Sequence, residues 1–109
     1  SDAAYQTFWQ ALYRAGADVV LAGHDHDYER FAPQDPNGAA DPARGIRQFV
    51  AGTGGRSHYQ FRTIRSNSEV RNAGTFGVLV MTLRARGYDW RFVPESRGAF
   101  TDSGSGVCH

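Results

Sequence analysis

Asp18-Val19-Val20-Leu21-Ala22-Gly23-His24-Asp25-His26-Asp27-Tyr28-Glu29-Arg30 passes from an apolar run into a polar segment with two histidines. After one Asp its first half is a wholly apolar run. A strand covered on both faces has this pattern, because no alternate side chain must meet water. Its second half is a polar loop that opens on a glycine. In open α/β sheets, site residues collect where strands end at their carboxyl side. His24 and His26 stand one residue apart, and in an extended segment residues i and i+2 project to the same side. Imidazole is the commonest metal-binding side chain, so two rings on one side can grip one ion or two neighbouring ions. Asp25 and Asp27 then fall on the opposite side, in solvent or supporting the rings through hydrogen bonds. Glu29 and Arg30 can pair and fix the loop.

Outward from this stretch the chain reads as α/β. Tyr5, Phe8, Trp9, Leu12 and Tyr13 recur at helical spacing and predict a helix with one aromatic stripe facing a core. Ser1 or Asp2 can cap its start, and Gly16 can end it in a left-handed turn. Residues 18–22 then predict a buried strand. Residues 31–45, with Pro33, Pro36 and Pro42, predict a surface loop. Ile46 to Ala51 predicts a second strand, and Gly52-Thr53-Gly54-Gly55 a tight turn. Such a turn can cradle phosphate on backbone amides. No lysine and no helix signal follows, so close backbone packing beside the histidine loop is the stronger reading.

Residues 56–74 mix Arg, His and aromatic residues without period and predict an irregular segment, able to cover the site as a lid. His58 lies in it and is a candidate third ligand or general acid, although a lone loop histidine is more often structural. Phe76 to Leu83 predicts a strand, Arg84 to Gly87 a turn, and Tyr88 to Val93 a second strand with Tyr88, Trp90 and Phe92 on one face. The two make an antiparallel hairpin with one buried side. From Glu95 onward Gly, Ser, Thr and Asp dominate and predict a loose tail.

Composition limits the function classes. A chain of 109 residues forms one domain at most. It is 40% hydrophobic and 21% charged, as ordinary globular proteins are. A net charge of +1 creates no field that would draw nucleic acid or a membrane surface. The twelve basic residues are all arginines, scattered along the chain. Cys108 is the single cysteine and has no internal disulfide partner.

Gly23-His24-Asp25-His26-Asp27-Tyr28-Glu29-Arg30 resembles the last metal-binding motif of the calcineurin-like metallophosphoesterases, in particular their purple acid phosphatase-like branch, with six of eight positions fixed. The flanks agree: an amphipathic helix and apolar strand before it, and the Gly52-Thr53-Gly54-Gly55 turn after a further apolar run. Other His-x-His families fit less well. The metallo-β-lactamase pattern needs Asp-His where Tyr28 and Glu29 stand, the cupin pattern places its Glu further on, and an amidohydrolase barrel needs far more chain.

The resemblance implies a fold and a function. The fold is the C-terminal half of a metallophosphoesterase-type α/β/β/α sandwich, spanning residues 1–109. The function is hydrolysis of phosphate esters at two metal ions about 3.5–4 Å apart that activate a water. His24 and His26 would be this chain's metal ligands, one to each ion, two of about seven. Iron with zinc or manganese is the implied pair. The remaining ligands and the acid that protonates the leaving group would come from an absent N-terminal half or a second chain, so the isolated chain is expected to lack turnover. A cysteine partnering Cys108 in that absent part would suit a secreted or periplasmic protein. The competing expectation is a non-catalytic, self-associating module with a vestigial His-x-His site.

Overall fold

Alternation of rings with polar residues along Tyr88-Asp89-Trp90-Arg91-Phe92 sets the core. The computed structural model describes residues 2–55 and 65–109, with side chains from residue 6 on. They form a small mixed α/β domain with one helix, α1 (Asp2–Arg14), and seven strands: β1 (Val19–Ala22), β2 (Tyr28–Phe31), β3 (Arg47–Ala51), β4 (Ser68–Asn72), β5 (Gly77–Leu83), β6 (Gly87–Pro94) and β7 (Asp102–Val107). Two sheets result, one in the order β1-β3-β2-β4 and one in the order β5-β6-β7. β1 and β3 run parallel, and the other pairings are antiparallel.

α1 ends as its sequence predicts. Gly16 adopts φ 79°, and the last turn closes with Gly16 N–H on Tyr13 O and Ala17 N–H on Leu12 O. These are the paired bonds of a Schellman cap, which satisfy carbonyls the helix end would leave orphaned. The aromatic stripe is only partly buried. Trp9 is in the core, whereas Phe8 is 61% exposed.

Tyr88, Trp90 and Phe92 all point inward from β6, each at most 5% exposed. They meet Tyr28 and Phe49 from the first sheet, with Phe49–Trp90 edge-on at 5.4 Å and Tyr28–Phe92 tilted at 4.7 Å. Aromatic pairs favour these tilted geometries over stacking face to face. The core is therefore the interface between the two sheets.

The segment from Glu95 onward is not loose. It carries β7, and Phe100 packs on Tyr28 and Phe92. Asp102-Ser103-Gly104-Ser105-Gly106-Val107 has little intrinsic strand preference. Complementary shape compensates: an added Cβ on Gly104 would lie 2.3 Å from the Trp90 ring, and one on Gly106 2.2 Å from Tyr88. The glycines leave the space that the rings fill. Beyond β7, Cys108 donates its N–H to Arg86 O and packs against the core, while burial and the neighbouring Asp18 push its thiol pKa up.

β1 departs from the expected doubly covered strand. It lies at a sheet edge, and Leu21 is 60% exposed. β5 is likewise an edge strand, with Val78 and Leu83 exposed. An apolar groove of about 510 Å³ lined by Leu21, Phe49, Val78, Leu79 and Met81 opens between them. The sandwich is closed by β7 and Phe100 on one side and open on the other.

Gly104→Ala is expected to lower stability by about 1–3 kcal/mol, because the methyl must displace the Trp90 ring. Gly54→Ala, where a Cβ would meet nothing within 4 Å, is expected to change stability by less than about 0.5 kcal/mol. Urea unfolding midpoints of the two variants check the contrast.

Candidate metal centre

The loop carrying His24 and His26 joins the C-terminal end of β1 to the start of β2. His24 is exposed and His26 half-buried. Its backbone is seated on the turn that follows β3. Gly52 N–H donates to Asp27 O at 3.0 Å, and Asp27 N–H donates to Asp25 O at 2.9 Å. A Cβ on Gly52 would lie 2.0 Å from Asp25 O and 2.7 Å from Gly23 O. Glycine is required there by close approach of two backbones. The next residue fixes the turn to the second sheet: Thr53 is buried, its hydroxyl donates to Gly77 O at 2.9 Å, and Gly77 N–H donates back to Thr53 O. The Gly52 amide is thus engaged with the histidine loop, as the close-packing reading of the glycine turn requires.

The residues after the histidines form a strand and not a continued loop. β2 pairs with both β3 and β4, Tyr28 opposing Ala51 and Asn72. Tyr28 is fully buried, and its hydroxyl donates to Asp102 Oδ2 at 2.6 Å. Arg30 Nε donates to the same oxygen at 2.8 Å and Nη2 to Asp102 Oδ1 at 3.2 Å. Arg30 also bonds to Glu69 on β4, which accepts from Arg47 Nη1 at 2.8 Å. Both guanidiniums lie over the Trp90 ring, at 5.0 and 4.8 Å from its centroid, where the ring's negative face attracts cations.

Arg30 therefore pairs with Asp102 and Glu69, in place of the expected Glu29. Asp25 is exposed as expected, but Asp27 is buried. Burial and the Asp102 carboxylate push the Tyr28 hydroxyl pKa well up. Tyr28 is a donor to Asp102 in this structure. For Asp102, burial pushes the pKa up, and the bonds from Arg30 and Tyr28 outweigh this and bring it below the ordinary carboxylate value. The carboxylate stays charged.

Of the candidate site residues, His24 and His26 share one loop, while His58 lies outside the described residues. Among the described residues, no three or more His, Cys, Asp or Glu side chains converge as a metal cluster. Comparison with protein-family models, curated proteins and solved structures returns no match to this chain. The arrangement offers two imidazoles on a solvent-facing loop braced from below by Gly52 and from behind by the Tyr28–Arg30–Asp102 bonds. Gly52 was legible as a packing glycine. Asp102 and Glu69 carried no sequence signal as bracing residues, because both come from segments far from the loop in sequence.

Gly52→Ala is expected to move the backbone amide resonances of residues 23–27 and to cost about 1–3 kcal/mol, with residues of β6 and β7 unmoved. A ¹⁵N correlation spectrum reads both regions. Asp102 also sets a pH dependence. Its folded pKa lies below its ordinary 3.8, so its contribution is complete above about pH 4–5 and is lost as pH falls through the folded value. Asp89, brought down to about 2 by Arg84 and Ser105, adds to the same slope. Urea unfolding of Asp102→Asn alongside the parent between pH 5 and 2 isolates the Asp102 part: the gap between them narrows as pH falls.

Proposed function

We propose that this chain is part of a dinuclear-metal phosphoesterase resembling the calcineurin-like, purple acid phosphatase-like enzymes, that it supplies His24 and His26 as metal ligands, and that it is inactive alone. The observation that carries this reading is the placement of the two imidazoles on the loop leaving the C-terminal end of a parallel strand, with Gly23, Tyr28 and Arg30 of the resembling run given holding roles. Gly23 O packs on Gly52, and Tyr28 and Arg30 anchor β2 to Asp102. In the α/β/β/α sandwich this implies, α1 and the two sheets form one half.

The donor set fits a metal in kind and falls short in number. Neutral imidazole suits iron, zinc and manganese sites to differing degrees, but two ligands do not complete a site, and further ligands would come from outside the described residues, from the rest of the protein or from a second chain. When bound, the metal pair would supply a water acidified for attack and positive charge against the phosphate oxygens. This chain's own contribution is orientation. The seated loop backbone limits how far the two rings can move, and the Asp102 bonds fix where β2 begins. A phosphate monoester or diester is the substrate class.

The second reading, a non-catalytic self-associating module, is favoured by one observation, the apolar groove between the open edges of β1 and β5. Metal analysis separates the two. The isolated chain, loaded with zinc or manganese, is expected to hold no more than one ion, to lose it in the His24→Ala, His26→Ala double variant, and to leave p-nitrophenyl phosphate intact. In a complete protein, each single variant is expected to lower kcat about a hundredfold or more, beyond the usual effect of removing a supporting residue. Metal retention unchanged in the double variant would overturn the reading of the histidines. Two ions with turnover in the isolated chain would overturn its incompleteness.

A further inference from the structure

A second concave region lies at the opposite end of the four-stranded sheet. β2 starts at Tyr28, beside the histidine loop, and ends at Phe31, on the wall of an open cleft of about 430 Å³. Three strand steps separate the two ends by about 10 Å, so the cleft is distinct from the histidine loop. Its size falls within the range of small-molecule sites, roughly 300–1,000 Å³.

The lining chemistry is unusual. Five carboxamides converge on it: Gln6 from α1, Gln34 and Asn37 from the loop after β2, Gln48 from β3, and Asn67 from the turn before β4. Among the described residues, its charged lining residues are Asp35 and Arg65, opposite in sign. Asp35 is turned into its own loop, where Oδ1 accepts from the N–H groups of Asn37 and Ala39 at 2.8 and 3.0 Å. The cleft is therefore nearly neutral and rich in paired donors and acceptors. The buried Trp9 and Phe31 form its apolar base.

The carboxamides are also set in place before any ligand arrives. Gln6 Nε2 donates to Asn37 Oδ1 at 2.7 Å, and Asn67 Nδ2 donates to Gln34 Oε1 at 2.9 Å and to Gly38 O at 2.6 Å. Each carboxamide has two N–H donors and a two-lone-pair oxygen. These bonds engage the Gln34 carbonyl and the Asn67 amino group, and involve neither the Gln34 amino group nor the Asn67 carbonyl. A donor on one carboxamide beside an acceptor on the next matches two adjacent hydroxyls, each of which gives one hydrogen bond and takes another. Fixing such groups in advance lowers the ordering cost of binding.

We propose that this cleft is a binding site for a neutral, hydroxyl-rich ligand, a mono- or disaccharide. A phosphate or nucleotide would call for concentrated cations, and among the described residues Arg65 is the one cationic lining residue. A peptide main chain also carries donors and acceptors, but it repeats them in a row along a strand. Here the carboxamides come from four separate segments and surround a hollow, which suits a compact ring.

The test is a titration of the ¹⁵N-labelled chain with glucose, mannose, N-acetylglucosamine and their disaccharides, following side-chain amide resonances. The expected result is a saturable shift of the Gln34, Asn37 and Asn67 amides with at least one sugar. Asn37→Ala and Gln34→Glu are expected to weaken it about tenfold or more, with backbone spectra showing both variants folded. The His24→Ala, His26→Ala variant is expected to bind the sugar as the parent does, so failure of the metal reading leaves this result standing. No saturable shift with any sugar, or binding unchanged in both cleft variants, overturns the proposal. Tighter binding of a tetra-alanine peptide than of every sugar overturns it in favour of a peptide site.

Discussion

Everything in this domain is arranged around one carboxylate. Asp102, on β7 of one sheet, takes the Tyr28 hydroxyl and the Arg30 guanidinium, both on β2 of the other. Hydrogen bonds to charged groups are worth about 1.5–3 kcal/mol each, more than neutral ones. Two effects oppose at Asp102: burial favours its neutral form, and the two donors favour the charged one. The donors win, so the pair stays ionic inside the interface. Removing one partner of such a half-buried pair leaves the other charge without its hydrogen bonds. Glu69 and Arg47 extend the same chain of bonds to β4 and β3, and Trp90 lies beneath both guanidiniums.

The run Gly23 to Arg30 divides by position into two kinds of residue. His24 and His26 are reachable from solvent. Gly23, Tyr28 and Arg30 are engaged with the protein. Reactive geometry set on a loop needs such backing, since a loop alone has little to hold it. The backing here is local at Gly52, which meets the loop main chain directly, and distant at Asp102, more than seventy residues along the chain.

Periodic and conformational signals were legible in the sequence, and long-range pairings were not. The alternation of Tyr88, Trp90 and Phe92 predicted both a strand and its buried face, because side-chain period and burial are linked in a sheet. Gly16 predicted its left-handed cap because few other residues tolerate that φ. β2 was hidden by composition: Tyr28-Glu29-Arg30-Phe31 alternates a ring and a charge on each face, and only Asp102 makes an inward arginine acceptable. β7 was hidden more completely. Its Ser-Gly alternation reads as loop, and its strand exists because Trp90 and Tyr88 occupy the room that side chains would take. Leu21 was read as covered because Val19 to Ala22 is wholly apolar, yet burial depends on neighbours that a local pattern does not contain. At the histidine loop, residue types pointed to two ligands, while Asp27's burial depended on Gly52 lying beneath its main chain.

β1 has a consequence for the behaviour of the chain in solution. Among the described residues, Val19-Val20-Leu21-Ala22 presents one row of main-chain donors and acceptors to β3 and pairs with no strand on its other edge, without a charge, proline or bulge along it. Natural sheets blunt such edges with lysine, proline or inward charge, since an unprotected edge is a template for pairing with another strand. The +1 net charge of the chain adds little repulsion between copies. Concentration, ionic strength and time thus govern colloidal behaviour here, and a charge introduced at position 20 or 22 would act as a gatekeeper on that edge.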